Sequence, residues 1–409
     1  MGTMTRSRSA VVVVALSWAA LVGAPDAVAN SWSVGLQGSA LTLPESGGGV
    51  FVDRGRVWWL TSSVVRRPGG TTEVGMRYEL RSRPLRGGPT RRTGLAVTAP
   101  ADAAYPRFVA SQVVVSDGGA AISGQWSEPL DPGSGAVPRR LPTAQLLVFD
   151  ATSGAPRSTA EYDSTSSGLV FGPTPVFGRR QTADGAASLV NPITGQALAS
   201  NVPGRSAFAA GHRLLDFSTT KGIPAREWSK GAGTLTVTDL KTGRQRYRLT
   251  ATQALRGADA PRRTTTDPRL QVDGSLALLL TPASRTGTYR PAWVDSRGRS
   301  RHANVWIHDV QGISTTAAHH RVLVSVSRSV RGRAGARSCS ALWLGTPSGK
   351  RWRRLDDRRT RFDGSLDVVS WENDRLVIRL TTARRPADRV RVIDRPGSLD
   401  LSRTARPTC

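Results

Sequence analysis

One short pattern, used six times, constrains this chain more than any other feature. At residues 145–156 the run QLLVFDATSGAP carries a strand-forming stretch into Asp150, then two residues on to Ser-Gly, and then back on itself. The pattern returns in SLVNPITGQAL at Asn191, LTVTDLKTGRQRYRL at Asp239, AWVDSRGR at Asp295, LWLGTPSGKRW at Gly345 and VRVIDRPGSL at Asp394. Successive copies lie 41 to 56 residues apart. The residue types have a mechanical reason. An Asp or Asn side chain accepts hydrogen bonds from the amides just ahead of it, Ser or Thr does so more weakly, and Gly takes the positive φ that a side chain resists. One such turn is an ordinary hairpin; six at near-constant spacing are a repeat.

Working outward from these turns, each copy expands into four strands, A to D. In the clearest unit FVASQVVVS is A, Asp117-Gly118-Gly119 is the turn, AAISGQW is B, and a long loop leads to QLLVFD as C. The same order is legible around Asp273-Gly274 and around Glu372-Asn373-Asp374, and more faintly upstream in VFVDRGRVWWLTSS and MRYELRSRPLRGGP. The adjacent Trp58 and Trp59 on a B strand are expected to pack between units, with stacking on a sugar as the alternative. A lone unit leaves both faces of its sheet in water, whereas radial stacking buries them. The expectation is an all-β chain, a β-propeller of seven four-stranded blades; the role of residues 30–45 is open, and pairing with the last blade to close the ring is one reading of it. A two-sheet sandwich is the rival, and it does not account for the spacing.

The repeated hairpin resembles the quinoprotein-like and YVTN-type β-propeller repeat families, a broad class that also takes in WD40-like propellers. The matching residues are Asp150/Ser153/Gly154, Asn191/Thr194/Gly195 and Asp239/Thr242/Gly243, with Gly345/Ser348/Gly349 matching in part and Trp352 standing where quinoprotein repeats often carry a tryptophan. The other units lack that tryptophan. The resemblance implies a repeat type and no particular activity.

Residues 1–29 read as a signal peptide: Arg6 and Arg8 precede an apolar run at 10–22, and Ala27-Val28-Ala29 has the small-x-small form of a cleavage site. An N-terminal membrane anchor is the rival. The expectation is therefore a secreted or cell-envelope protein with one propeller domain at 30–409 and no transmembrane segment in the mature chain. Only two cysteines are present, Cys339 and Cys409. In an exported protein they suggest one disulfide, with two free or intermolecular thiols as the alternative.

The formal net charge is +27, and all but four of the 57 basic residues are arginine. Coding bias at exposed positions is one reading; attraction to anionic polymers is the other. The expected B–C loops (62–74, 127–144, 219–233, 282–291, 327–337 and 381–388) are long, while A–B and C–D turns are tight. Arg66, Arg67, Arg139, Arg140, Arg226, Arg331, Arg333, Arg384 and Arg385 fall in those loops, as do Arg285 and Arg290. Guanidinium forks suit carboxylate, sulfate and phosphate, so these arginines are the candidate ligand-binding residues.

Signatures of catalysis are missing. The chain has no G-x-S-x-G, H-E-x-x-H or C-x-x-C, and its GTPSGK run (345–350) is one residue short of a phosphate loop. His319-His320 fall in a turn, and His302 and His308 are expected on one D strand with even spacing. No metal site and no cofactor are expected. The functional expectation is a non-catalytic binding or scaffolding module, monomeric, whose partner is an anionic polysaccharide, a wall polymer or a protein. The alternative is a propeller enzyme (hydrolase, lyase or quinoprotein-like oxidoreductase) with its site in the central funnel.

Overall fold

The structure is a computed structural model. It describes residues 40–43, 49–99, 105–141 and 143–163, and from 168 to 401 chiefly the strands and some of the turns between them. All of these lie in one compact unit, Leu36–Cys409. Among the described residues there is no α-helix, and the strands gather into seven antiparallel sheets.

The first described strand, β1 (Ala40–Leu43), belongs to the last sheet. The first sheet is β2 (Val50–Asp53), β3 (Arg56–Arg66), β4 (Glu73–Pro84) and β5 (Arg91–Leu95). The second is β6 (Arg107–Ser116), β7 (Gly119–Ser127), β8 (Thr143–Asp150) and β9 (Pro156–Asp163). The third is β10 (Gly168–Val170), β11 (Val176–Arg180), β12 (Ala187–Val190) and β13 (Ala197–Val202). The fourth is β14 (Ala207–Ala210), β15 (Arg213–Ser218), β16 (Thr234–Asp239) and β17 (Gln245–Thr250).

In the fifth sheet two short pieces, β18 (Arg263–Thr264) and β19 (Arg269–Leu270), both pair with β20 (Leu276–Thr281), which is followed by β21 (Arg290–Val294) and β22 (Ser300–His302). The sixth sheet is β23 (Gly312–Ala318), β24 (Arg321–Gly332), β25 (Gly335–Gly345) and β26 (Trp352–Arg354). The seventh is β27 (Gly364–Glu372), β28 (Arg375–Thr382) and β29 (Arg385–Asp394), with β1 added outside β29.

Alternation along the strands explains the stacking. Neighbouring residues point to opposite faces of a sheet, so Trp58 joins Leu60, Tyr78, Phe108 and Phe149 between the first and second sheets. Its neighbour Trp59 joins Leu43, Val377, Val390 and Val392 between the first and the seventh. Trp293 and Ile307 pack against Val324 and Trp343 between the fifth and sixth. Full burial of a side chain of this size contributes roughly 3 kcal/mol. The innermost strands also touch one another: β2 meets both β6 and β27. Antiparallel meanders packed face to face, with the first against the last, make a β-propeller.

The ring closes through β1, whose residues pair antiparallel with β29 (Ala40 opposite Arg391, Leu43 opposite Asp388). Leu43 is fully buried in the cluster shared by the first and seventh sheets. This corrects one detail of the repeat. Asp394 ends a C strand like the other five turn residues, but it does not open a hairpin, because its outer strand comes from the opposite terminus.

Candidate functional site

The two ends of the sheets are built differently. At one end the A–B turns of the first two sheets are two-residue loops. Arg54-Gly55 and Asp117-Gly118 both have positive φ (50° and 71°, 50° and 70°), the geometry that matches the twist of paired strands. The Gly118 amide donates to Asp53 Oδ2 at 3.0 Å, tying the turn of the second sheet to that of the first. The C–D turn lies beside it, since the Ala151 amide donates to the Gly118 carbonyl at 3.0 Å.

The repeated C–D turn has the construction its residues imply. Asp150 Oδ1 accepts the amides of Thr152 and Ser153 at 2.9 and 2.8 Å. The turn closes from Asp150 N to the Ala155 carbonyl at 2.8 Å, and Gly154 takes φ 76°. Asn191 repeats this with Ile193 and Thr194, and Gly195 at φ 71°. The amide of Ser153, then the Arg157 guanidinium, hold the Asp150 carboxyl well below the usual carboxylate range. The Gly345 copy lacks the acid for a steric reason. A Cβ there would sit 2.4 Å from the Trp352 ring, which is buried and donates its Nε1–H to the Gly349 carbonyl at 2.8 Å. GTPSGK is thus the turn between β25 and β26.

The opposite end carries the B–C connections. Three of the expected loops are in fact strands. β3 and β4 pair as far as Arg66 opposite Glu73, β24 and β25 as far as Gly332 opposite Gly335, and β28 and β29 as far as Thr382 opposite Arg385. Polar and charged residues hid this extension, because a hairpin that leaves the stacked sheets no longer needs an apolar face. From Ser62 onward every β3 side chain is exposed.

The first two B–C connections are joined. Glu73 and Leu130 exchange both backbone hydrogen bonds, at 2.7 and 3.0 Å. The Glu128 amide donates to the Arg139 carbonyl at 2.9 Å, and Arg140 bridges back to Ser127. The segments around Arg66, Glu73, 128–130 and 139–140 therefore run side by side as a ledge spanning two sheets. Arg66, Arg67, Arg139 and Arg140 are all exposed on it. The acids nearby are committed. Glu73 is buried against Arg107 (3.1 Å), Glu128 Oε2 accepts the Arg139 amide (3.1 Å), and Asp131 Oδ1 accepts the Gly133 amide (3.0 Å). Among the described residues no carboxylate engages the four guanidinium groups, so the ledge is cationic.

The other candidates divide differently. Arg331 sits opposite Ala336 and Arg385 opposite Thr382, each near the tip of its own hairpin. Arg226, Arg285, Arg333 and Arg384 lie outside the described residues, as do His212, His319, His320 and Cys409. Cys339 is on β25, opposite Arg328. Arg290 is engaged already, donating to the Ala303 carbonyl at 2.8 Å and lying over the Trp306 ring. His302 and His308 do not share a strand: β22 stops at His302, and the chain turns so that Ile307 bridges to Tyr289. His308 Nδ1 meets Thr288 Oγ1 at 3.3 Å. Among the described residues no three His, Cys, Asp or Glu side chains are grouped to hold a metal.

Loop length, the criterion that selected these arginines, passed over another set. Residues 77–92 hold six arginines and one acid, Glu79, on β4, its turn and β5. Arg81 is paired with Glu79 and Arg83 donates to the Gly88 carbonyl. Arg77, Arg86, Arg91 and Arg92 are exposed. The signal was present as a local charge density, but a strand pattern alone does not show that β5 is an outer strand. On such a strand charged side chains also deter edge-to-edge pairing.

No protein-family model matches the sequence, and no curated protein matches it. Several solved structures share the strand arrangement in part. An uncharacterized protein of Listeria monocytogenes EGD-e is 9% identical, with 85% of this chain and 93% of that chain covered and a TM-score of 0.46. The β-propeller domain of the Trilobed protease from Pyrococcus furiosus is 10% identical over 67% of this chain and 78% of its own, with a TM-score of 0.40. The WD40 domain of SCAP from fission yeast is 10% identical over 87% and 94%, with a TM-score of 0.36.

Proposed function

We propose that this chain is an exported, seven-bladed β-propeller of the quinoprotein-like or YVTN repeat type that acts without catalysis, binding an anionic component of the cell envelope through the arginine ledge of its first two blades. What supports the reading is the contrast on that ledge: Arg66, Arg67, Arg139 and Arg140 are exposed, while Glu73, Glu128 and Asp131 are taken up by a buried ion pair and by backbone amides. Exposed guanidinium forks offer paired donors to phosphate, sulfate or carboxylate. Residues 1–29 would be removed on export, and a Cys339–Cys409 disulfide would form in that oxidising compartment.

The test uses the chain from Asn30 to its end and soluble polyanions, inorganic polyphosphate and a sulfated oligosaccharide. Binding is measured at about 0.1 M and about 1 M salt, between which the screening length falls from about 10 Å to about 3 Å. The wild type is expected to bind at the lower salt and release at the higher. The quadruple variant Arg66→Glu, Arg67→Glu, Arg139→Glu and Arg140→Glu is expected to bind at least about tenfold more weakly. Unchanged binding by that variant overturns the reading.

A further inference from the structure

The ledge does not end at the hairpin tip. β4 begins at Glu73, beside Arg66, and runs the height of the sheet to Pro84. Its 12 residues cover roughly 36–40 Å at the usual strand rise. Along one of its faces lie Arg77, Glu79, Arg81 and Arg83, because alternate residues share a face. The register places Arg92 of β5 opposite Arg81, on that same face, and Arg91 opposite Ser82, on the other face, so the two flank the outer edge of the sheet. At the far end the Leu85 amide donates to the Gly55 carbonyl at 3.0 Å, which brings Arg86 beside the A–B turn, where the Arg54 side chain is 68% exposed and lies 3.9 Å from the Asp53 carboxylate, itself held by the Gly118 amide.

Charge along this path is one-sided. Glu79 is neutralised by Arg81, and from there the next acid in the sequence is Asp102. Arg66, Arg67, Arg77, Arg86, Arg91 and Arg92 are exposed from the ledge down to the C–D turn. We infer that they form one continuous track for a linear phosphate-bearing polymer that lies along the outer strands of the first blade, with the ledge as one end of its path. The inference rests on the anion-binding reading of the ledge and adds the shape and chemistry of the ligand.

Two features select this class. A track as long as β4 rewards a ligand that engages both ends at once, since the second contact is then intramolecular and its effective concentration is high. The track also bends: it passes from an exposed hairpin tip, across a twisted sheet edge, to a turn. A flexible phosphate chain follows such a path more readily than a stiffer sulfated saccharide. Arginine presents a planar fork to each phosphate.

The experiment compares three variants of the chain from Asn30 to its end. They are the ledge quadruple above, a rim triple (Arg86→Glu, Arg91→Glu, Arg92→Glu) and a control triple (Arg244→Glu, Arg248→Glu, Arg351→Glu) at exposed positions on other blades. Probes are tripolyphosphate, long-chain polyphosphate and a sulfated oligosaccharide of similar charge. Thermal melts of each variant confirm that it is folded. The rim triple is expected to lose at least about tenfold in affinity for long-chain polyphosphate. It should keep tripolyphosphate binding within about twofold, and the control should match wild type within about twofold.

Wild-type affinity of the rim triple for the long chain, or an equal loss in the control, overturns the track. If the ledge quadruple loses binding in the same experiment, the anion-binding reading survives that result. If the ledge quadruple binds like wild type, that reading falls and the track falls with it. Tighter binding of the sulfated oligosaccharide than of long-chain polyphosphate overturns the choice of phosphate.

Discussion

The carboxylate of Asp53 accepts the amide of Gly118 at 3.0 Å, 65 residues away. Asp53 ends β2 just ahead of the Arg54-Gly55 turn and Gly118 lies in the next two-residue A–B turn, so the bond fastens the first blade to the second where their innermost strands meet. The Trp58 indole N–H donates to the Asp53 carbonyl at 3.2 Å, so one residue links the turn, the inter-blade core and the neighbouring blade. Removing the carboxylate leaves a half-buried amide without its acceptor. Asp53→Ala is expected to cost about 1–3 kcal/mol and Asp53→Asn less, since its amide oxygen still accepts. Urea unfolding of both variants checks this, and equal costs would count against the bond.

The C–D turn offers a test by pH. The folded pKa of Asp150 is depressed, first by the Ser153 amide and then by Arg157. Its contribution is therefore present above the ordinary carboxylate range, near about 4, and is lost as pH falls through the lower folded value. Asp150→Asn should keep the turn, because Asn191 builds the same turn with an amide oxygen. It loses the partly exposed ion pair with Arg157, worth less than about 1 kcal/mol. The difference in melting temperature between Asp150→Asn and wild type is expected to shrink from about pH 7 to about pH 2. A gap that widens would contradict the assignment.

Gly345 and Trp352 exclude any side chain at the fifth turn. A Cβ at Gly345 would meet the Trp352 ring at 2.4 Å, and that ring is 1% exposed, so it has little room to yield. Gly345→Ala is expected to destabilise by about 1–3 kcal/mol through overpacking. Trp352→Ala should cost more, about 3–5 kcal/mol, from the lost burial and the cavity. In the double variant the two costs should add to less than their sum, because the clash vanishes with the ring. Chemical denaturation of the four proteins completes the cycle.

Ring closure depends on Leu43, fully buried against the first and seventh blades. Leu43→Ala is expected to cost about 2–5 kcal/mol. Leu43→Asp buries a charge at the seam and should expose β29 as an open edge, which appears as concentration-dependent association. Light scattering and thermal melts measure both effects; a monomeric Leu43→Asp protein of wild-type stability would show that β1 does not hold the ring.

Much of the fold was legible because its determinants are local. Asp150, Asn191 and their glycines set a turn by bonds to amides two and three residues on, and a six-fold recurrence of that turn reports the strands on either side. Trp58 and Trp59 reported inter-blade packing for the same reason: adjacent strand residues face opposite ways. The hairpin tips at Arg66, Gly332 and Thr382 look like loops in the sequence, because exposed strands lack the alternation that marks half-buried ones. The split strand at 263–270 and the departure of His308 from β22 had no local signal, since both depend on what the neighbouring strand accepts.

The candidate site was legible only in part. Arg66, Arg67, Arg139 and Arg140 were found from their loops, but the bridge between Glu73 and Leu130 that brings them together is a contact between blades. The exposed arginines of β4 and β5 were passed over, because being on an outer strand is a property of the sheet and not of the segment.

By itself the sequence determined the all-β character, the repeated turn, the turn chemistry and a large positive charge, all of which follow from interactions within a few residues or from composition. Only the tertiary structure decided which acids are spent on buried pairs and backbone amides, and therefore which arginines remain open. Asp131 is spent on an amide only two residues on, but Glu73, Glu128 and Asp53 are spent on neighbours 11 to 65 residues away in the chain, where proximity is set by how the chain folds back and by the stacking of blades.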